Sequence, residues 1–236
     1  VSHSRGTGSV HYALSRTGTL VSLPGSVDVD NRMLVRSDRE GRMETLTRET
    51  RAFIMVRTSP DGRRLALWIG TADDELWTYE IDRGILARLA PGATNPVWSP
   101  DGEWIVFSGT RGNDDLSRVR PDGSGPPEPL LKRTRSRVPT SISPDGRFLA
   151  FTEDSPETAS DVWTLSLDTR ETHLVLGTHF NESAPTFSPD GRLLAYVSDE
   201  TGHAEVYVQP FPGPGAKRQV SVGGGTSPVW GRPQGE

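Results

Sequence analysis

The sequence predicts an all-β chain, a β-propeller built from four-stranded blades. Three observations carry this. The tetrapeptide Ser-Pro-Asp-Gly occurs four times, starting at Ser59, Ser99, Ser143 and Ser188. The turn glycines Gly18, Gly62, Gly102, Gly146, Gly191 and Gly235 recur every 40–45 residues, the length of one four-stranded blade. Each tetrapeptide is followed by a short apolar run, as in RRLALWI, EWIVFSG, RFLAFTE and RLLAYVS.

Each unit has four parts. An entering strand such as NPVWS or APTFS leads into the turn, and the apolar run after it has the length and boundaries of a buried strand. About a dozen residues on comes a second run: ELWTYEID, DLSRVRPD, DVWTLSLD or EVYVQPFP. A shorter strand closes the unit: METLT, ILARLA, PEPLL, THLVL or KRQVSV. The first unit is degenerate, with Arg16-Thr17-Gly18 where Ser-Pro-Asp-Gly would stand, and TLVSLPG and RMLVRSDREG in the next two slots. No segment shows a helical period. The expected boundaries are one domain over 1–236, with blades near 9–48, 52–90, 95–132, 138–176 and 183–222. TSPVWGRPQGE matches a further entering strand at 226–231. Five full repeats plus the first strand of a sixth give an incomplete six-bladed type. Such a ring leaves an edge open to self-association, as a segment of a longer protein would.

The tetrapeptide reads as architecture. Pro presets φ for the turn, Asp bonds its own backbone, and Gly supplies the left-handed conformation. A residue set repeated in every blade serves every blade. The acid before the second run (Glu75, Asp115, Asp161, Glu205) also recurs and reads as scaffold.

Composition narrows the function. The formal net charge is −5 with both signs interspersed, so no basic field suggests nucleic acid. Without Cys there are no disulfides and no thiolate metal sites. No apolar run reaches the ~20 residues of a membrane-spanning helix, and VSHSRGTGSVHYALS has no apolar leader segment. Gly-x-Ser-x-Gly, His-Glu-x-x-His and the phosphate-loop glycine–lysine pair are missing. His3, His11, His173, His179 and His203 show no metal-ligand spacing, so no metal and no cofactor is expected.

The repeats resemble the TolB-type, WD40-like propeller repeats: an entering Pro-x-Trp/Phe-Ser, then Pro-Asp-Gly-Arg, then an apolar strand ending in Ser-Asp. Here these are Pro96–Phe107, Thr140–Phe151 and Pro185–Asp199. Phe180–Trp230 resembles the C-terminal propeller region of bacterial eukaryotic-type serine/threonine kinases. The kinase machinery itself is absent: no Gly-rich loop, His-Arg-Asp or Asp-Phe-Gly. The resemblance implies a non-catalytic sensor or binding module, a protein partner or small ligand, and an extracytoplasmic or periplasmic location. The alternatives are a propeller enzyme, a metal-assisted lyase or hydrolase with a central pocket, and an inactive fragment of a larger propeller.

Function on a propeller sits on loops held by a rigid scaffold. The loops opposite the Pro-Asp-Gly turns vary, whereas the turns repeat. The expected binding residues are therefore Asn95, Arg137, Asn181 and Glu182, with Asp154 and Asp199 on the rim. Acids recur between second and third strands (Asp73-Asp74, Asp114-Asp115, Glu153-Asp154, Asp199-Glu200). They read either as an acidic rim for a cation or basic partner, or as turn residues on a solvated edge. KRTRSR at 132–137 reads as a phosphate or acidic-partner site, or as a solvated loop, and PFPGPG at 210–215 as a stiff connector.

Overall fold

The four Ser-Pro-Asp-Gly turns are closed networks in the computed structural model. Within each, the serine amide donates to the carbonyl five residues on, and the glycine amide donates back to the serine carbonyl. The serine Oγ accepts the amide five residues on, at 2.9 Å in every copy (Arg64, Trp104, Phe148, Leu193). The same hydroxyl donates to the aspartate Oδ1 at 2.5–2.6 Å. That Oδ1 also accepts the amide two residues on. The glycines hold φ between +72° and +75°, a region that strains any residue with a Cβ.

The structure describes residues 12–14, 20–23, 32–38, 40–70, 72–109, 114–132, 135–213 and 215–231. They form five four-stranded antiparallel sheets, each with its strands in chain order. Gly18 and Gly235 lie outside the described residues.

Unit 1, residues 1–132, holds three sheets. The first comprises β1 (Tyr12–Leu14), β2 (Leu20–Ser22), β3 (Val35–Ser37) and β4 (Met43–Thr45). The second comprises β5 (Phe53–Thr58), β6 (Arg64–Ile69), β7 (Glu75–Glu80) and β8 (Ile85–Pro91). The third comprises β9 (Ala93–Trp98), β10 (Ile105–Gly109), β11 (Asp114–Val119) and β12 (Glu128–Lys132). Both faces of a middle strand are covered, which is why its sequence is an unbroken apolar run. On β6, Leu65 and Leu67 join the cluster of Val21, Leu34 and Phe53. Ala66, between them, faces the other way, into the cluster of Leu76, Ile105 and Phe107. The period of two sends alternate side chains to opposite faces.

Unit 2, residues 133–236, holds two sheets. One comprises β13 (Arg137–Ile142), β14 (Phe148–Ser155), β15 (Ala159–Ser166) and β16 (Thr172–Leu176). The other comprises β17 (Glu182–Phe187), β18 (Leu193–Ser198), β19 (Glu205–Pro210) and β20 (Arg218–Gln219). Their shared core packs Ala150 and Val162 against Phe187, Leu194 and Tyr196.

The expected extra strand at 226–231 is corrected: 226–231 joins no sheet. A strand needs a partner, and no described segment pairs with it. Trp230 Nε1 nonetheless donates to Thr186 O on β17 at 3.0 Å. In unit 1, Trp98 Nε1 on β9 donates to Arg57 O on β5 in the same way, also at 3.0 Å. The segment thus docks its Trp on the preceding blade as an entering strand does, without forming a ladder.

Candidate functional site

In unit 2 the connections opposite the tetrapeptide turns are β14–β15, β16–β17 and β18–β19. Five of the six expected residues lie at this end. Residues 153–161, 177–183 and 198–205 contain eight Asp or Glu and no Lys or Arg.

Asn181 and Asp199, 18 residues apart in sequence, are brought together. Asn181 N donates to Asp199 Oδ1 at 2.9 Å and Asn181 Nδ2 to Oδ2 at 2.6 Å. The side-chain bond, then the backbone bond, lowers the Asp199 pKa. Asn181 also bridges to Ser160, which ties the two sheets of unit 2 at this end. Asn181 is exposed, and its side-chain carbonyl oxygen remains an acceptor.

Glu182 is the first residue of β17 and is buried, not on an exposed loop. Its carboxylate accepts Thr178 Oγ1, and Thr178 N at 3.3 Å. Burial raises its pKa, the Thr178 bonds oppose this, and the charge of Asp161 adds to the rise. Asp161 is itself buried, and its Oδ1 has no hydrogen-bond partner among the described residues. Nor has the hydroxyl of buried Tyr196, whose pKa is pushed up by burial first and by Glu200 and Glu182 after it.

Arg137 is bound within the chain. It sits opposite Glu153 in register, with Nε 2.5 Å from Oε2. Arg135 approaches the same carboxylate at 3.6 Å. The basic run before β13 therefore has its two described unit 2 arginines facing a buried acid. Glu153 and Asp154, read as loop acids, are strand residues, because β14 runs to Ser155. Asp154 remains exposed on the rim.

Asn95 belongs to unit 1. It stands at a bulge of β9 with φ +53°, its Nδ2 donating to Thr94 Oγ1 at 3.2 Å. Ala184 holds φ +52° at the corresponding bulge of β17, so this position answers a backbone demand that Asn tolerates well.

The acids preceding the second runs diverge in role. Glu75 accepts Trp77 Nε1 at 2.9 Å and pairs with Arg88 at 2.9 Å. Glu205 accepts Ser221 Oγ and the amides of Gly223 (2.7 Å) and Gly224 (2.8 Å), fastening the segment after β20. Asp161, in the same slot, keeps an oxygen without a partner. Sequence reasoning treated all of them as scaffold, and nothing in the repeat pattern separates Asp161 from its counterparts. Among the described residues, no three His, Cys, Asp or Glu side chains are grouped to hold a metal ion.

The fold is shared with known propellers. TolB from Acinetobacter baumannii superposes with a TM-score of 0.71 at 18% identity, over 85% of this chain and 51% of that one. Oligogalacturonate lyase from Vibrio parahaemolyticus does so with 0.65 at 14% identity, over 86% and 66%. Puromycin hydrolase gives 0.63 at 18%, over 89% and 38%. The chain is thus a TolB-like β-propeller in fold. No protein-family model matches the sequence. A curated relative, the uncharacterized protein Atu1656 of Agrobacterium fabrum, is 29% identical over 119 residues, 48% of this chain and 40% of the relative. The chain spans about half the length of that TolB chain and less than half of the curated relative.

Proposed function

We propose that this chain is a non-catalytic binding module that takes a basic segment of a protein partner on the acidic loop end of unit 2. One observation carries the reading. The two ends of the same blades spend their polar groups differently. Each tetrapeptide turn satisfies its Ser and Asp side chains on itself. The loop end holds the exposed Asn181 by two bonds to Asp199, beside exposed Asp154 and Glu157. Such a surface offers acceptors and negative charge to a partner bearing donors and positive charge.

The test is amide-exchange mapping of the full chain with a ten-residue peptide of alternating Lys and Ser, at low and high salt. Protection at 153–161, 178–184 and 198–203 that fades with salt is expected, and Asp154→Asn combined with Asp199→Asn should abolish it. Protection confined to the turns at 143–148 and 188–193, or none at low salt, would overturn the proposal.

A further inference from the structure

The opposite end of unit 2 carries a cavity of about 580 Å³. Its walls come from the turn-side ends of β14, β15, β16 and β19 and from the connector after β19. Phe148, Phe211 and Pro212 supply apolar wall, with the two phenylalanine rings edge to face at 5.4 Å. Three polar side chains line it: Thr164, His173 and Gln209. Thr164 and His173 are direct cross-strand partners on β15 and β16, so their side chains share one face.

Thr164 is the informative residue. It is 2% exposed and lines the cavity. The Thr164 hydroxyl offers the cavity a donor and an acceptor that a valine of the same shape would lack. Gln209 and His173 leave their side-chain polar atoms unengaged among the described residues. The sequence PFPGPG reads as a connector, and a connector does not need to form one wall of a cavity.

We infer that this cavity binds a small, uncharged, aromatic molecule that bears a hydrogen-bonding substituent. Volume favours a free molecule over a single inserted side chain. Small-molecule sites occupy about 300–1,000 Å³, mostly apolar with a few convergent polar groups, whereas one aromatic side chain would leave most of this space empty. Charge decides the class. No Asp, Glu, Lys or Arg lines the cavity, so a charged ligand would lose hydration there without gaining a counter-charge. Phe148 and Phe211 give a ring apolar contact, and Thr164, Gln209 and His173 provide both donors and acceptors for one substituent. This site is independent of the acidic loop end and stands at the end that the repeat pattern makes look purely structural.

The experiment titrates the full chain with 2-naphthol, followed by its fluorescence. Saturable binding is expected, weakened about three- to tenfold by Thr164→Val, the loss of one neutral hydrogen bond. Gly213→Phe should abolish it. Gly213 lines the cavity, and a Cβ there meets no atom closer than 4.0 Å, so the backbone accepts the larger residue. 2-Naphthalenesulfonate should bind at least tenfold more weakly than 2-naphthol. Retention of wild-type affinity by both variants, with native circular dichroism, would overturn the assignment, as would tighter binding of the sulfonate. Stronger competition from N-acetyl-Ala-Trp-Ala-amide than from unlabelled 2-naphthol would show a peptide-anchoring groove and refute the small-molecule reading.

Discussion

Replacing the turn glycines of unit 2 separates backbone strain from side-chain contact. Gly146 and Gly191 occupy the same place in successive blades, at φ +75° and +72°. A Cβ on Gly146 would meet nothing within 4 Å, whereas one on Gly191 would stand 3.4 Å from Pro144 Cδ. Gly146→Ala therefore measures the left-handed conformation alone, about 1–2 kcal/mol. Gly146→Val should cost about 1–3 kcal/mol, and Gly191→Val more, because its branched methyls must also clear the Pro144 ring. Asp145→Asn keeps an acceptor oxygen for Ser143 Oγ and Arg147 N, both on Oδ1, and should cost far less. The assay is urea denaturation followed by circular dichroism, with Tm as a second reading. A chain of 236 residues should lose about 2–4 °C per kcal/mol. Equal losses from Asp145→Asn and Gly146→Val would refute the reasoning, because the turn would then depend on the carboxylate and not on the backbone.

Two further predictions concern buried carboxylates. The folded-state pKa of Glu182 is raised above its ordinary 4.5, so the folded chain binds more protons than the unfolded one between the two values, and stability falls as pH rises through that window. Glu182→Gln should therefore gain stability relative to wild type on the alkaline side and lose that advantage below pH 4.5; a pH-independent loss in denaturation series would contradict this. The pKa of Glu205 is lowered by Ser221, and then by the Gly223 and Gly224 amides, against the opposing effect of burial. Its contribution is present above the ordinary carboxylate range and lost as pH falls through the folded value. Glu205→Gln at fixed pH should accelerate amide exchange at Gly223 and Gly224, and acid should lower their protection factors, while Gly191 stays protected; unchanged protection at all three would count against the latch.

What could be read from the sequence follows the range of the interactions. The turns were legible because their chemistry is local: Pro, Asp and Gly act within four residues. Even there the serine went unread, although it opens every copy and its Oγ bonds both the aspartate and the amide five residues on. A short polar residue fixed in that place is the signal for it. The Arg137–Glu153 pair was only nearly within reach: counting back from the turn along the β13–β14 hairpin sets Arg137 opposite Asp154, and the bulge between Pro139 and Ser141 moves it onto Glu153. Glu182 was not. An acid in THFNESAP looks like a solvated loop residue, and only the start of β17, with Thr178 folded back on the carboxylate, buries it. The Asn181–Asp199 pair depends on where two separate connections end, which no local pattern encodes. The wall made by Phe211 and Pro212 is set by packing of β19 against the other sheet of unit 2.

The division between repeated and unrepeated chemistry explains why the two ends of unit 2 can carry different tasks. The middle strands β6, β10, β14 and β18 are buried on both faces, so their residues are fixed by packing and have little freedom to vary. The Leu-Ala-Leu, Leu-Ala-Phe and Leu-Ala-Tyr runs at Leu65, Leu149 and Leu194 are one solution used three times, with the small residue opening space for a neighbouring sheet. Departures from that solution are where a demand other than folding shows. Asp161 occupies a slot in which Glu205 satisfies four donors with the histidine included, and yet leaves one buried oxygen without a partner. Thr164 places a hydroxyl at the cavity wall where an apolar residue of the same shape would pack as well. Both lie on β15, one toward each end, and Trp163 Nε1 on the same strand is, like the Asp161 oxygen, buried without a partner among the described residues. A strand that reaches both the acidic loop end, at Asp161, and the cavity, at Thr164, is the element through which unit 2 should be probed first.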